Sequence, residues 1–303
     1  MGTGPRGLVR ALWQIPRTLL AALGILARYR PHLIVGVGGY AAFPALAAAV
    51  LTRRPIVLLE QNAEPGLVTR IFARFARRIC VSFPETLEMV GAGGLLTGNP
   101  IRWHRQSKDE RPREGSRFRI LVFGGSGGAH RLNEIVPGAI AQLEGDVEVV
   151  HQTGRRDREE VASRYAGLGV DAVVTEFIED MRSAYESCDV VVCRSGATTL
   201  AEITALGIAA ILVPFPFAAA DHQTRNAEAL VEAGAAWMIP DRNLTDSGLA
   251  TRLAAIRADP AALDSVRSRA RSLGRPDALE AVVRVCREAA GVGSSAGGPG
   301  PDA

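Results

Sequence analysis

The feature that most constrains the fold is the alternation of short apolar runs with longer stretches of helical periodicity. Such runs have the length of buried strands, and strands covered by helices on both faces are apolar throughout. The predicted strands are Leu33–Val37, Ile56–Glu60, Ile79–Ser82, Arg119–Phe123, Val147–Gln152, Ala172–Thr175, Val190–Cys193, Ala210–Pro214 and Ala236–Ile239. The sequence therefore predicts an α/β fold of Rossmann-like, doubly wound parallel sheets.

The 303 residues are enough for two domains, and a polar, charged segment between Arg102 and Arg117 marks the predicted boundary. A Gly/Ser/Pro-rich stretch without apolar periodicity closes the chain and predicts a disordered tail. The predicted divisions are residues 1–103 for the first domain, 104–117 for the linker, 118–274 for the second domain, 275–290 for a C-terminal helix that packs back toward the first, and 291–303 for the tail.

Positive charge is concentrated in the first third of the chain. Residues 1–110 hold 14 Lys and Arg against 6 Asp and Glu, whereas the remainder holds 21 against 26. The predicted helix Val9–Arg30 mixes Trp13, Leu20 and other leucines with arginines, a composition suited to an anionic membrane surface. Packing of the same leucines in a core is the alternative. The segment carries no nucleic-acid recognition motif, so we expect no nucleic-acid partner.

A glycine-rich turn, Gly124–Ala129, joins a predicted strand to a helix that begins near Arg131. Glycines let the backbone approach an anion, and the helix N-terminus offers N–H groups and a positive dipole end to a diphosphate. Ser126 adds a hydroxyl donor. The turn matches neither the GxGxxG nor the Walker pattern, and a purely structural turn is the alternative.

Two further strand-to-helix turns carry polar side chains. After Val190–Cys193 comes Arg194–Glu202, where Glu202 is placed to accept hydrogen bonds from ribose hydroxyls, or simply to complement the helix dipole. After the next strand come Gln223 and Asn226, whose amides suit sugar hydroxyls. Because parallel strands end at one edge of a sheet, these turns are expected to share one crevice.

The ordered set of motifs resembles the MurG-type glycosyltransferases of peptidoglycan synthesis, glycosyltransferase family 28. The matching stretches are GVGGY, LLEQN, TGNPIR, FGGSGGA, HQTG, TEFIEDM, VVCRSGATTLAEI and VPFPFAAADHQTRNA, within residues 6–290. The resemblance implies a GT-B architecture and transfer of N-acetylglucosamine (GlcNAc) from UDP-GlcNAc to lipid I, the undecaprenyl-linked muramyl-pentapeptide, which gives lipid II. It implies an inverting, metal-independent reaction without a cofactor, at the cytoplasmic face of the cell membrane.

The resemblance also implies residue roles. Asn62 and Arg102 would contact the donor, Ser126 the diphosphate, and Ile178 the uracil through its backbone. Gln223 would bind the sugar. The phosphates and ribose would be held by Ala197, Thr198, Thr199, Leu200, Ala201 and Glu202.

Members of the family carry a GGTGGH loop upstream of the point where this sequence starts, and that loop holds a candidate catalytic base. We therefore expect a partial first domain on the acceptor and membrane side, and the sequence nominates no catalytic residue. Two alternatives remain open: another GT-B sugar-nucleotide enzyme such as an epimerase, and a non-catalytic protein that binds a UDP-sugar or a membrane surface.

Overall fold

The computed structural model describes residues 5–102, 117–125 and 128–292, with side chains from Pro16 onward in the first helix. The strands are β1 Ile34–Gly36, β2 Ile56–Glu60, β3 Arg78–Val81, β4 Gly94–Leu96, β5 Phe118–Phe123, β6 Val147–Gln152, β7 Ala172–Thr175, β8 Val190–Cys193, β9 Ala210–Leu212 and β10 Trp237–Met238. The helices are α1 Pro5–Tyr29, α2 Phe43–Leu51, α3 Leu67–Phe72, α4 Pro84–Val90, α5 His130–Ile140, α6 Arg158–Gly167, α7 Met181–Ser187, α8 Ala197–Leu206, α9 His222–Glu232, α10 Asp246–Ala258, α11 Pro260–Leu273 and α12 Ala278–Ala290. Short 3-10 helices occupy Tyr40–Ala42, Ala73–Phe75, Gly91–Gly93, Ala219–Asp221 and Asp241–Asn243.

The chain divides into two compact units. The first consists of Met1–Pro100 together with Asp277–Ala303, and the second of Ile101–Pro276. Each unit has its own sheet, and every strand pairing in both sheets is parallel.

The sheet of the first unit has the order β1-β2-β3-β4. Side chains alternate across it because successive residues of a strand point to opposite faces. Ile56 and Leu58 pack with residues of α2 and α3 on one face, whereas Val57 packs against Val282 and Val285 of α12 on the other. The C-terminal helix therefore belongs to the core of the first unit, and the Arg77 guanidinium donates to the carbonyl of Ala289 at 2.7 Å.

The sheet of the second unit has the order β10-β9-β8-β5-β6-β7. Strand β5 lies inside it and pairs with β6 on one side and β8 on the other. All four residues of β8 are buried, as expected for a parallel strand covered on both faces. The predicted α/β class with parallel sheets is confirmed.

Strand β4 was missed by the sequence analysis. It is three residues long and pairs with β3 at the edge of the first sheet. Glycines 91 and 93 precede it and Gly94 is its first residue, so its sequence has neither the length nor the apolar run of a recognisable strand.

Among the described residues, no helix is both long enough and apolar enough to cross a bilayer. Helix α1 nevertheless exposes Leu20, Ile25 and Tyr29.

Candidate functional site

The order of the second sheet reverses between β5 and β8. From β5 the chain runs outward to β6 and β7, then returns to the other side of β5 to form β8, β9 and β10. Phe123 and Cys193, the last residues of β5 and β8, are paired in register, so the turns that follow leave the sheet side by side. Open parallel sheets bind ligands beyond their strand C-termini at such a reversal.

The turn after β5 requires glycine at two described positions. A Cβ on Gly124 would lie 2.1 Å from the Cβ of Ala129, and one on Gly128 would lie 2.1 Å from the carbonyl oxygen of Thr153. Gly128 also has a φ of +76°, which disfavours any residue with a side chain. Ser126 and Gly127 lie outside the described residues.

The turn after β8 leads into α8 through Gly196, whose backbone is extended and whose place at the cap carries no side-chain hydrogen bond. The N–H groups of a helix's first turn have no acceptor within the helix and can receive an anion. Of the predicted residues 197–201, Ala197, Thr198 and Thr199 form that first turn.

Leu200 and Ala201 play a different part in the helix. The side chain of Leu200 is buried, its N–H donates to Gly196 at 3.0 Å, and its carbonyl accepts from the Thr204 hydroxyl at 2.8 Å. The carbonyl of Ala201 also accepts from Thr204, at 3.2 Å. Their backbone groups therefore serve helix α8 itself.

Glu202 directly follows Ala201, in the second turn of α8, and its side chain is half-buried. Its Oε2 accepts a hydrogen bond from the hydroxyl of Tyr185 at 3.1 Å. Burial raises the pKa of the Glu202 carboxyl, and the Tyr185 hydroxyl and the charge of Arg102 oppose that rise. A half-buried carboxylate with one oxygen already bonded suits the recognition of hydroxyl donors.

Gln223 lies in the first turn of α9 and is fixed by backbone contacts. Its Oε1 accepts from the Phe215 N–H at 3.0 Å, and its own carbonyl accepts from the hydroxyl of the buried Ser195 at 2.8 Å. Asn226 is fully buried and donates to the Ser195 carbonyl at 3.2 Å, so it holds the turn together. These contacts join the start of α9 to the turn before α8.

The segment before α9 is strained. Ala220 and Asp221 have φ values of +53° and +54°, and non-glycine residues in this left-handed region store strain that clusters at functional sites. The surrounding bonds, including those from Asn226 to Ser195 and from Ser195 to Gln223, hold this backbone in place.

Arg194 is buried beneath the same turns. Its Nη1 donates to the carbonyls of Val213 and Pro214, both at 3.1 Å, and pairs with Asp241 Oδ1 at 2.6 Å. Its guanidinium also lies 5.5 Å from the centroid of the Phe215 ring. Arg194 therefore fixes the strand end that presents the Phe215 N–H to Gln223.

Ile178 lies in the loop after β7, where its N–H donates to Gln152 Oε1 at 2.8 Å. The Nε2 of the buried Gln152 donates to the carbonyl of Gly125 at 3.1 Å. One amide thus ties the loop that holds Ile178 to the glycine-rich turn. Because the N–H of Ile178 is used in this way, its carbonyl is the backbone group of this residue suited to bind a ligand.

Asn62 belongs to the first unit, in the loop after β2. Its backbone N–H donates to Oε1 of the buried Glu60 at 3.2 Å, and its side-chain amide donates to the same oxygen at 3.4 Å. The other oxygen of Glu60 accepts from the Gly66 N–H at 3.0 Å. Arg102 is exposed and belongs to the second unit.

Tyr185, Gln152 and Arg194 were not nominated from the sequence. Each acts on a nominated residue or turn through a contact with a distant part of the chain. For Gln152 the only sequence signal was its place at the C-terminal end of a predicted strand. Among the described residues, no group of three or more His, Cys, Asp or Glu side chains is placed to hold a metal ion.

Comparisons with protein families cover both units. The model of the glycosyltransferase family 28 N-terminal domain matches residues 2–81, and that of the C-terminal domain matches residues 119–282.

Two curated relatives carry the name UDP-N-acetylglucosamine--N-acetylmuramyl-(pentapeptide) pyrophosphoryl-undecaprenol N-acetylglucosamine transferase. The one from Syntrophus aciditrophicus is 42% identical over 293 residues, which are 94% of this chain and 81% of the relative. The one from Azotobacter vinelandii is 43% identical over 293 residues, 95% of this chain and 82% of the relative.

Among solved structures, MurG of Acinetobacter baumannii is similar with a TM-score of 0.81 and 32% identity, over 91% of this chain and 80% of that one. A UDP-GlcNAc 2-epimerase from Neisseria meningitidis bound to UDP-GlcNAc has a TM-score of 0.63 at 11% identity, over 90% and 81% of the two chains. The second likeness concerns the fold alone. The first, together with the curated relatives, confirms the GT-B fold and the family predicted from the motifs: the chain belongs to glycosyltransferase family 28.

Proposed function

We propose that this protein transfers GlcNAc from UDP-GlcNAc to lipid I and so forms lipid II in peptidoglycan synthesis. The observation that carries the proposal is identity of 42% over 94% of the chain to a transferase named for this reaction. The arrangement of the second unit supports it, because two strand-to-helix turns at a sheet reversal are suited to a nucleoside diphosphate.

We assign the donor to the second unit, with one group for each part of the molecule. The carbonyl of Ile178 accepts from the uracil, and Glu202 accepts from the ribose hydroxyls. The first turn of α8 and Ser126 bind the diphosphate, and the amide of Gln223 donates to the sugar. Arg102, in the same unit, supplies a further contact to the donor.

The chemistry proposed is displacement at the anomeric carbon with inversion. A base takes the proton of the acceptor hydroxyl as that oxygen attacks, and the bond between the sugar and UDP breaks. The N–H groups and dipole at the start of α8 stabilise the negative charge that develops on the leaving diphosphate. We assign no residue as the base.

The first unit is proposed to receive the acceptor at the membrane. Exposed apolar side chains, Leu20, Ile25 and Tyr29, lie on the same helix as Arg17 and Arg28, and Arg30 follows the helix directly. Ile71 and Phe75, also exposed, lie beside Arg74 and Arg78 in sequence. Apolar groups with nearby arginines suit a peripheral association with anionic lipid at the cytoplasmic face, where lipid I is embedded.

A transfer assay tests the proposed function. The full chain is incubated with radiolabelled UDP-GlcNAc and vesicles that contain lipid I, and label is followed into the lipid fraction. We expect label in lipid with UDP-GlcNAc and little with UDP-glucose. Conversion of UDP-GlcNAc to its 2-epimer without lipid labelling would instead identify an epimerase, and binding without either product would identify a non-catalytic protein.

A further inference from the structure

Tyr185 is a fully buried side chain in contact with a nominated site residue. It lies on α7, its ring packs edge-to-face on Phe123 with centroids 5.8 Å apart, and its hydroxyl meets Glu202 Oε2 at 3.1 Å. Phe123 is the last residue of β5, at the sheet reversal. Packing of the ring therefore fixes the position of the hydroxyl next to the Glu202 carboxylate.

The direction of this hydrogen bond is determined by the chemistry of its two groups. Burial, reinforced by the charge of Glu202, holds the pKa of Tyr185 well above its usual range, so the phenol keeps its proton and donates it. Among the described residues, Glu202 receives no other hydrogen bond, so its Oε1 retains its full accepting capacity.

We propose that Tyr185 is a positioning residue that fixes the Glu202 carboxylate so that Oε1 accepts from a ribose hydroxyl, and that it thereby sets the preference of the site for ribonucleotides. The inference rests on the proposed function, in which the second unit binds a uridine diphosphate. Tyr185 touches Glu202 rather than the ligand, so its effect on binding passes through that carboxylate.

The physical reason is preorganisation. A glutamate side chain has several rotatable bonds, and a flexible acceptor loses conformational freedom each time it binds a ligand. The hydroxyl of the packed Tyr185 ring orders the Glu202 side chain before the ligand binds. The resulting gain in affinity applies only to ligands whose ribose hydroxyls donate to Glu202, so the site favours these ligands over deoxy analogues.

The test compares Tyr185→Phe with wild type by calorimetry, using UDP and 2′,3′-dideoxyuridine 5′-diphosphate as the two probes. Without the Tyr185 hydroxyl, the Glu202 side chain must be ordered at each binding event, and ordering one flexible side chain costs up to about a factor of ten in affinity, so we expect Tyr185→Phe to bind UDP up to about tenfold more weakly. Affinity for the dideoxy probe should stay at its wild-type value, because that probe has no ribose 2′- or 3′-hydroxyl to donate a hydrogen bond to Glu202.

Tyr165→Phe is the matched control. Tyr165 is also fully buried in the second unit, and its hydroxyl lies 3.0 Å from His151 Nδ1. Burial lowers the pKa of His151 to about 3, so at neutral pH its ring is uncharged and accepts from Tyr165. This variant also removes one buried hydroxyl, and it should bind both probes as wild type does.

A double variant distinguishes a loss of positioning from a loss of stability in Tyr185→Phe. In a Glu202→Ala background, the additional change Tyr185→Phe should have no further effect on UDP affinity, because the side chain that Tyr185 positions is gone. Equal UDP affinity in wild type and Tyr185→Phe, or equal weakening of both probes, would overturn the inference while leaving donor binding intact. Failure of wild type to bind UDP would overturn the proposed function as well.

Discussion

The side-chain oxygen Oε1 of Gln223 lies 3.0 Å from the backbone nitrogen of Phe215 and accepts its hydrogen bond. This contact fixes which end of the amide is which, since the carbonyl oxygen must face Phe215 and the NH2 group must face away. In the proposed site, Gln223 would therefore present a donor, rather than a second acceptor, to the sugar.

The variant Gln223→Glu tests that orientation. A carboxylate still accepts from Phe215 but has no hydrogen to donate to the sugar. We expect UDP-GlcNAc to bind roughly tenfold more weakly, while UDP, which lacks the sugar, binds unchanged. Calorimetry with both ligands measures the ratio, and an equal loss for UDP and UDP-GlcNAc would place Gln223 away from the sugar.

The Arg194–Asp241 pair should contribute strongly to stability. Its side chains are only 10% and 17% exposed, and removing one partner leaves a buried charge. We expect Asp241→Ala to lower the free energy of unfolding by about 3 kcal/mol, measured by urea denaturation. The control is Asp146→Ala, which breaks a pair with Arg117 whose side chains are 59% and 52% exposed and should cost less than about 1 kcal/mol. Similar losses in the two variants would contradict a special role for Arg194.

Gly128 should be far less tolerant of a methyl group than another glycine of similar backbone conformation. Gly128→Ala would place Cβ 2.1 Å from the Thr153 carbonyl oxygen, at a φ of +76°. Gly169 has a φ of +70° but no atom within 4 Å of the same position. We expect Gly169→Ala to cost about 1 kcal/mol of unfolding free energy and Gly128→Ala about 2–3 kcal/mol, with weakened UDP-GlcNAc binding only in Gly128→Ala. A Gly128→Ala variant with normal stability and binding would show that the turn need not pack on Thr153.

His130, the first residue of α5, makes stability depend on pH. Its Nδ1 lies 3.0 Å from Asp157 Oδ2, and that hydrogen bond raises the pKa of His130 above its usual 6.5. The bond from Asn133 and then that from His130 lower the pKa of Asp157 below 3.8. The stabilisation linked to His130 is fully present below its unfolded pKa of 6.5 and is lost as pH rises through the folded value. The stabilisation linked to Asp157 is present above 3.8 and is lost as pH falls through its folded value.

The pair is therefore strongest between roughly pH 4 and 6.5. We expect His130→Ala to lower the free energy of unfolding more at pH 5.5 than at pH 9. Titration of the His130 ring by NMR gives the second measurement, in which Asp157→Asn should shift the His130 pKa downward. An unchanged His130 pKa in Asp157→Asn would rule out the carboxylate as the cause.

Four strands of the structure have the bounds predicted from the sequence: Ile56–Glu60, Val147–Gln152, Ala172–Thr175 and Val190–Cys193. These segments are rich in β-branched and other apolar residues and are bounded by polar or turn-forming residues, so local sequence largely sets their ends. The predicted strand Ala210–Pro214 ends earlier, at Leu212, because the chain turns toward Phe215. Strand β4 depends on pairing with β3 rather than on its own sequence.

The sequence could nominate candidate site residues only where they follow predicted strands. Glu202 and Gln223 could be nominated because each lies on the helix that follows a predicted strand. Their partners could not be nominated, since hydrophobic periodicity predicts that Tyr185 is buried but does not show where its hydroxyl points. Tyr185 and Glu202 are 17 residues apart in sequence, and packing of the Tyr185 ring on Phe123 brings the two side chains into contact.

The central claim is that the second unit has a single uridine diphosphate site at its sheet reversal. Calorimetric titration of the full chain with UDP-GlcNAc, UDP and NADH tests it most directly. We expect UDP-GlcNAc and UDP each to bind at one site per chain, and Glu202→Ala to weaken both equally, since the ribose is common to them. Tighter binding of NADH than of UDP-GlcNAc, or undiminished binding of both uridine ligands by Glu202→Ala, would contradict the account.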